Sequence, residues 1–412
     1  MKYGLIGEKL GHSYSKPIHE ALANYEYEIR EIAREDVSAF LAEREFVAIN
    51  VTIPYKETVM PYLDIIDPAA EQIGAVNTVV NRDGKLFGYN TDLYGMTELF
   101  RHAGIDPEGK KAAVLGTGGT SKTAHACLTE LGAREIVTVS RRTGDGAVSY
   151  EELYREHGDV EIIVNTTPLG MYPNPGGCAV DLSRLACVSG VIDAVYNPLS
   201  TELILSARER GIRAEGGLYM LVAQAVYASE IFLGKKHPEG AAERIYKKIY
   251  TEKENIVLIG MPSSGKSTVG KIIADRLSRK LVDSDAVIVK NEGRDIPSIF
   301  AAEGEKHFRD AETVAIGECA NASSLVIATG GGAILREENV RALRRSGRLY
   351  FIDRPLECLL PTGDRPLAKS REAIEKIYRD RYPIYTSVCD VHIDGSGSAV
   401  EVAERIIKEF CK

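Results

Sequence analysis

The sequence predicts an α/β protein of three successive units, and three observations carry that expectation. Short apolar strands alternate with helical patterns along the chain. Two of those strands run directly into glycine-rich turns that open helices, at residues 116–121 and 260–267. The length, 412 residues, exceeds what one core ordinarily spans, roughly 100–200 residues per domain.

Composition narrows the function classes. Hydrophobic residues make up 44% and charged residues 27%, the balance of a soluble globular protein. A net charge of −8 argues against a nucleic-acid partner, and neither a helix-turn-helix pattern nor a basic stripe is present. Small anions held in local basic pockets are the better expectation. The cysteines (Cys127, Cys178, Cys187, Cys319, Cys358, Cys389 and Cys411) stand singly with no C-x-x-C pair, and read as reduced thiols of a cytoplasmic protein. No signal peptide is expected, because the N-terminus enters a strand directly. The most apolar later run, residues 218–233, is interrupted by Gln224, Ser229 and Glu230, so it reads as a packed helix rather than a membrane span. Nothing in the pattern speaks to oligomeric state.

In the first unit, residues 1–100, strands are expected over 3–6 and 48–53, with helices from about Pro17 and after Pro54. The loop Gly11-His12-Ser13-Tyr14-Ser15-Lys16-Pro17 sets two hydroxyls just before a helix start, where they can cap the helix or bind an anion. Asn50-Val51-Thr52-Ile53-Pro54-Tyr55-Lys56 runs from strand to loop with Thr52 and Lys56 on its polar side. Gly74-Ala75-Val76-Asn77-Thr78 and Gly88-Tyr89-Asn90-Thr91-Asp92 follow. Singly, each is a plain turn. Together they set a lysine, an aspartate and several amide or hydroxyl groups at the ends of successive strands, where open α/β sheets collect ligands.

The second unit, residues 101–250, opens on a strand over 111–115 that leads into Gly116-Thr117-Gly118-Gly119-Thr120-Ser121 and a helix through Leu131. Gly-x-Gly-Gly-x-Ser here replaces the Gly-x-Gly-x-x-Gly of a dinucleotide-binding Rossmann turn. After the next strand, 135–139, the acid that would hold a ribose 2′-hydroxyl is missing and Ser140-Arg141-Arg142-Thr143 stands there instead. Guanidinium groups suit a 2′-phosphate, so NADP(H) rather than NAD is the expected cofactor. Strands over 162–165 and 190–194 carry Asn165-Thr166-Thr167-Pro168-Leu169-Gly170-Met171 and Asp193-Ala194-Val195-Tyr196-Asn197-Pro198. Gln224, alone among apolar residues, reads by itself as a satisfied core group. An amphipathic stretch over 241–250 leads to a boundary near Thr251.

The third unit, residues 251–412, is arranged around Gly260-x-x-x-x-Gly265-Lys266-Ser267, between an apolar strand (256–259) and a helix (269–277). Its glycines let backbone amides wrap a polyphosphate, the lysine meets the β/γ-phosphates, and the hydroxyl holds Mg²⁺. Asp283 and Asp285 end the next strand two residues apart, which would turn both carboxylates to one side. In a phosphotransferase, one can support Mg²⁺ while the other orients or deprotonates an acceptor hydroxyl. A helix cap would explain one aspartate but not both. His307-Phe308-Arg309-Asp310 comes next, and a strand over 325–329 then runs into Gly330-Gly331-Gly332, where a ligand can approach backbone amides closely. Gly363-Asp364-Arg365-Pro366-Leu367 and Arg379-Asp380-Arg381-Tyr382-Pro383-Ile384-Tyr385 complete the set.

Taken in order, the motifs of the first two units (Ser13-x-Ser15, 50–56, 74–78, 90–92, 165–171 and Gln224) resemble shikimate dehydrogenase. The resemblance implies that Ser13 and Ser15 take the substrate carboxylate and that Thr52, Asn77, Tyr196 and Gln224 fix the ring hydroxyls. Lys56 and Asp92 would be the catalytic pair, with Lys56 as the acid. Gly116, Thr117, Gly118, Gly119, Thr120, Ser140, Arg141, Arg142, Ala194 and Gly217 would hold NADP(H). Lys16 and Ala194 depart from the family, which often has proline and methionine there.

Over about residues 255–412 the motifs resemble shikimate kinase. Asp285, Arg309, Gly331 and Arg381 match that family's shikimate contacts, and Arg365 matches the lid arginine that reaches the transferring phosphoryl group. Ser263, Ser264, Gly265, Lys266, Ser267, Thr268 and Arg365 would hold ATP, with Ser267 and Asp283 at Mg²⁺. Lys266, Asp285 and Arg365 would be the catalytic groups. The lid segment 359–364 is short, and Pro361 lies about where the family often has an arginine stacking on adenine.

The two resemblances fit as successive steps, reduction of 3-dehydroshikimate to shikimate followed by phosphorylation of the 3-hydroxyl. Two alternatives stand beside this: a dehydrogenase that also takes quinate, joined to a kinase of another small hydroxy acid, and a metabolite sensor without chemistry. The presence of Lys56, Asp92, Lys266, Asp285 and Arg365 opposes the sensor.

Overall fold

The computed structural model describes residues 1–11, 13–142, 144, 146–361 and 370–412. Its chain forms two compact units, one of Met1–Asn197 with Ser206–Lys248 and one of Pro198–Leu205 with Ile249–Lys412. Within the described residues there are three sheets, and the α/β class is as the alternation of strands and helices predicts.

The first unit holds two of the sheets. Strands β1 (Tyr3–Gly7), β2 (Tyr27–Glu31), β3 (Ala48–Val51), β4 (Ile65–Ile66), β5 (Thr78–Arg82) and β6 (Lys85–Tyr89) make a mixed sheet in the order β2-β1-β3-β5-β6-β4. β1 and β3 run parallel with Ile6 beside Val51, so the loops carrying Ser13 and Lys56 leave the same edge. All four residues of β3 are buried, as expected of a strand covered on both faces.

The helix expected after Pro54 does not form. Residues 53–59 are turns, followed by a short 3₁₀ helix, Met60–Tyr62. Pro61 has no amide with which to continue an α-helix, and Tyr55 is fully buried with its hydroxyl 2.6 Å from the Ile32 carbonyl, which pins the segment as a turn.

The second sheet is all parallel, in the order β11-β10-β9-β7-β8: β7 (Lys111–Leu115), β8 (Glu135–Val139), β9 (Ile162–Asn165), β10 (Gly190–Asp193) and β11 (Arg213–Gly216). Two helices tie it to the first sheet. Thr91–Ala103, which starts after β6, packs on Leu218–Leu233, the apolar run read as a packed helix. Gly95 permits their close approach, since a Cβ there would lie 2.7 Å from the Met220 carbonyl oxygen. Among the described residues no helix is long and apolar enough to cross a membrane.

On the inner face of the helix Ser15–Leu22 (the expected start, about Pro17, lies inside it), His19 is fully buried. Its ring stacks on Tyr27 at 4.2 Å and its Nδ1 lies 2.7 Å from the Tyr25 hydroxyl. Burial pulls its pKa from 6.5 down to about 3, so the folded ring is neutral. The unfolded chain binds a proton here at higher pH than the folded one. Stability is therefore lost as pH falls from about 6.5 to about 3, by about 1.4 kcal/mol per pH unit. The urea midpoint of this unit should be lower at pH 5 than at pH 7, and His19→Gln should flatten that difference.

The second unit has one parallel sheet in the order β13-β14-β12-β15-β16: β12 (Asn255–Ile259), β13 (Lys280–Asp283), β14 (Leu325–Ala328), β15 (Gly347–Asp353) and β16 (Val391–Asp394). β12 is central and buried at every position, and the helix Lys266–Leu277 follows its glycine-rich turn. Helix Ala241–Lys253 runs past Thr251 and ends two residues before β12.

Candidate active sites

The first site forms where the loop after β3 meets the helix Thr91–Ala103. Lys56 Nζ lies 2.5 Å from Asp92 Oδ2, and the two side chains are 28% and 16% exposed. That leaves the ammonium reachable from solvent while the carboxylate holds it. Asn90 caps the helix through its Oδ1, accepting the Leu93 amide at 3.2 Å, which sets Asp92 in the first turn.

Beside the pair runs a chain of polar contacts. Asn77 Nδ2 donates to Thr91 Oγ1 at 3.0 Å, and its Oδ1 accepts the Thr91 amide at 2.7 Å. Thr91 Oγ1 lies 3.3 Å from Gln224 Oε1, across the helix pair opened by Gly95. Asn50 holds the other end, donating to Thr78 Oγ1 at 3.0 Å and accepting from Tyr27 at 2.7 Å. Gln224 is thus half-buried at the site rather than an isolated core group.

Ser13 and Ser15 are half-buried at the start of their helix. Ser13 Oγ accepts the Ser15 amide at 3.2 Å, so this hydroxyl serves the helix start while Ser15 begins it. Tyr14 meets Tyr196 edge-on at 5.8 Å, which brings Tyr196 to the same loop. Thr52 sits at the end of β3 with its amide bonded to the Ile6 carbonyl at 3.0 Å.

The dinucleotide turn fits a diphosphate. A Cβ at Gly118 or Gly119 would meet nothing, so the backbone at the start of helix Gly119–Glu130 is open to a ligand. Gly116, at φ +107°, lies against Thr166, where a Cβ would come within 2.9 Å of its Oγ1. A cavity of about 710 Å³ near this turn is lined by Thr117, Ser121, Lys122, His125 and Arg142 among others. Thr120 lies in the first turn of the helix, Ser140 Oγ accepts the Arg142 amide at 3.2 Å, and Arg141 is exposed. Gly217 and Ala194 touch, since a Cβ at Gly217 would lie 2.2 Å from the Ala194 carbonyl oxygen. Thr143 is outside the described residues.

The second site is a single cavity of about 580 Å³. It brings together Ser263, Gly265, Lys266, Ser267, Thr268, Asp283, Asp285, Arg309, Gly331 and Arg381, all of them marked by the sequence. Ser264 is buried behind it. Lys266 Nζ donates to the carbonyls of Gly260 and Met261, each at 2.8 Å, closing the loop on itself. Ser267 Oγ lies 2.7 Å from Asp283 Oδ2, a hydroxyl and carboxylate together as a hard divalent cation requires.

One expectation needs correction. Asp283 and Asp285 do not share a strand face, because β13 ends at Asp283. Asp283 caps the helix Ser284–Glu292, its Oδ1 accepting the Asp285 amide at 3.0 Å, and Asp285 lies in the first turn. The turn from strand to helix still delivers both carboxylates to the cavity.

Opposite the phosphate loop stands a cationic wall. Arg309 pairs with Glu312 at 2.7 Å and with Glu305 at 3.1 Å. Burial pushes the Glu312 carboxyl upward against the pull of Arg309. Arg381 Nη1 donates to the Gly331 carbonyl at 2.8 Å, and Tyr385 Oη lies 2.8 Å and 2.6 Å from the carbonyls of Gly260 and Gly331. The glycine run admits these groups: a Cβ at Gly330 would lie 2.5 Å from Asp285 Oδ1, and one at Gly332 would lie 2.0 Å from Arg309 Nη1. Gly332→Ala should therefore push the flexible Arg309 tip aside without unfolding the chain. We expect KM for the phosphoryl acceptor to rise about tenfold, the scale of one displaced charge-assisted bond, with KM for ATP unchanged in steady-state assays.

Sequence reasoning gave no role to Thr91, Asn50, Glu312 or Tyr385, although Asn50, Thr91 and Tyr385 stand inside its motifs. Glu312 had a local signal, its spacing of three from Arg309, whereas the others acquire their roles through contacts remote in sequence. Arg365, with the rest of Gly363-Asp364-Arg365-Pro366-Leu367, lies outside the described residues.

Comparison with known proteins finds a matching family in each unit. The family model described as the shikimate dehydrogenase substrate binding domain matches residues 5–79, and that described as shikimate kinase matches residues 262–411. A shikimate dehydrogenase (NADP(+)) of Clostridium perfringens is 38% identical over 265 residues, covering 60% of this chain and 97% of that protein. The crystal structure of shikimate dehydrogenase 1 from Peptoclostridium difficile is 38% identical with a TM-score of 0.55, over 60% of this chain and 98% of that one. Quinate dehydrogenase from Corynebacterium glutamicum, solved with NAD, is 28% identical with a TM-score of 0.55, over 60% and 98%. Over that 60% the chain belongs to the shikimate dehydrogenase family, and over residues 262–411 it carries a shikimate kinase domain.

Proposed function

We propose that the chain catalyses two successive steps, the NADPH-dependent reduction of 3-dehydroshikimate to shikimate and the ATP-dependent phosphorylation of shikimate to shikimate 3-phosphate. The observation that carries the pairing is the second unit's cavity, where a phosphate loop faces Arg309 and Arg381, groups suited to the carboxylate of the first step's product. On this reading residues 1–100 bind the first substrate, 101–250 bind NADP(H) and 251–412 form the kinase.

NADP(H), when bound, supplies the hydride. Arg141 and Arg142 suit its 2′-phosphate, and the NADP(+) specificity named for the Clostridium perfringens relative supports that choice. Ser13 and Ser15 hold the substrate carboxylate, and Thr52, Asn77, Tyr196 and Gln224 hold the ring hydroxyls. Lys56 gives a proton from Nζ to the oxygen that becomes an alkoxide, while Asp92 keeps the ammonium in place.

In the kinase, Lys266 and the loop amides take the ATP phosphates, and Ser267 with Asp283 holds Mg²⁺. Arg309, Arg381 and the Gly331 backbone fix the acceptor. Asp285 orients the attacking hydroxyl, and Arg365 would reach the phosphoryl group in transfer.

The test is a coupled assay on the intact chain, with 3-dehydroshikimate, NADPH and Mg-ATP, following NADPH loss and ADP release separately. Both should occur, and ADP release should wait on reduction. NADPH loss without ADP release, even with shikimate added, would remove the kinase half. The likeness to quinate dehydrogenase favours a second reading in which the first site also accepts quinate, and side-by-side turnover of quinate and shikimate in the oxidative direction decides it.

A further inference from the structure

We propose that Arg354 binds the purine base of the nucleotide, stacking its guanidinium plane on the ring. This rests on the kinase reading above and names a residue that no motif marks.

The sheet order supplies the direction. β12 and its phosphate loop lie between β14 on one side and β15 on the other. Asp285 follows β13 and the glycine run follows β14, and Arg381, on the helix Arg371–Val388 after β15, reaches across to that side by donating to the Gly331 carbonyl at 2.8 Å. A nucleotide whose terminal phosphate faces those groups must extend its nucleoside toward β15. There the cavity wall includes Arg354, Cys358, Leu360 and Ile377.

Arg354 follows β15 directly and is half-buried. The other cations of this cavity are already engaged: Arg309 with Glu312 and Glu305, Arg381 with the Gly331 carbonyl, and Lys266 with the carbonyls of Gly260 and Met261. Among the described residues, the Arg354 guanidinium has no hydrogen bond or ion pair. Its neighbour Asp353 is not paired with it and turns elsewhere, its Oδ2 lying 2.9 Å from the Tyr382 hydroxyl and 2.8 Å from His392 Nε2.

The position is anchored as well as available. The turn after β16 presses on the Arg354 backbone, since a Cβ at Gly395 would lie 3.0 Å from the Arg354 nitrogen. On the facing side, Ser263 Oγ donates to the Leu360 carbonyl at 2.8 Å, tying this wall to the phosphate loop. A planar cation on a fixed backbone beside apolar surface is suited to an aromatic face, which a compact ammonium would grip less well.

The test is calorimetric titration of the intact chain and of its Arg354→Ala and Arg354→Lys variants with ADP and with tripolyphosphate, each with Mg²⁺. Steady-state KM values for ATP and shikimate are measured alongside. We expect both variants to bind ADP about tenfold more weakly, to bind tripolyphosphate as the parent does, and to raise KM for ATP but not for shikimate. Unchanged ADP binding would overturn the assignment. So would equal weakening toward tripolyphosphate, which marks a phosphate contact, or full retention by Arg354→Lys, which marks charge alone. Failure of the parent chain to bind ADP would overturn the kinase reading with it.

Discussion

Lys56→Ala is expected to lower reduction of 3-dehydroshikimate by about 10²–10⁴-fold, the range of a lost general acid, while ADP release with added shikimate continues at the parent rate. Hydride adds to the carbonyl carbon with its electron pair, the C=O π pair moves to oxygen as an alkoxide, and the proton donor proposed for that oxygen is the Lys56 ammonium, 2.5 Å from Asp92. Alanine removes the proton and also leaves Asp92 without its partner, so two effects must be separated. Asp92→Asn keeps the lysine and loses only its charged anchor, and it should cost less than Lys56→Ala. Added methylammonium should restore part of the activity of Lys56→Ala, because it returns a proton donor to the vacated space. Equal loss in both catalytic halves would instead mark fold damage, and a loss of less than about tenfold would remove Lys56 from the proton-transfer role.

How far the sequence anticipated this site depends on whether a role is local. The Gly260–Ser267 loop was legible because its glycines, lysine and hydroxyl work within eight residues, and the structure closes Lys266 onto that same loop. Strands with local apolar runs were legible for the same reason, among them the half-buried edge strand Glu135–Val139 and the buried Ile162–Asn165. Gln224 was not legible from its own surroundings. Its place at the site comes from Thr91, 133 positions away, brought near by two helices meeting at Gly95. The expected helix after Pro54 failed because helical spacing was weighed above Pro61 and the demand of Tyr55 for burial. Asp283 and Asp285 both line the cavity, but they were singled out on a faulty geometric ground. Strand alternation does not continue past the residue where the strand becomes a helix.

That corrected geometry separates the two aspartates and yields the second large effect. Both Asp283 oxygens are engaged, Oδ2 by the Ser267 hydroxyl at 2.7 Å and Oδ1 by the Asp285 amide at 3.0 Å. Its carboxylate therefore belongs to the phosphate loop and the helix start. Asp285 lies against Gly330 with Glu312 and the Arg309 wall nearby, on the side proposed for the acceptor. Asp285→Asn is expected to lower kcat for shikimate phosphorylation by about 10²–10⁴-fold with KM for ATP nearly unchanged, since it removes the group that orients the attacking hydroxyl and accepts its proton. Asp283→Asn should behave differently, shifting the Mg²⁺ concentration needed for half-maximal rate upward. It should cost little stability, because asparagine caps a helix about as well as aspartate. Mg²⁺ titrations of the two variants distinguish these roles. If Asp285→Asn shifted the Mg²⁺ requirement and Asp283→Asn did not, the assignments would have to be exchanged. The helix that starts between them would then present its first turn, rather than its cap, to the metal.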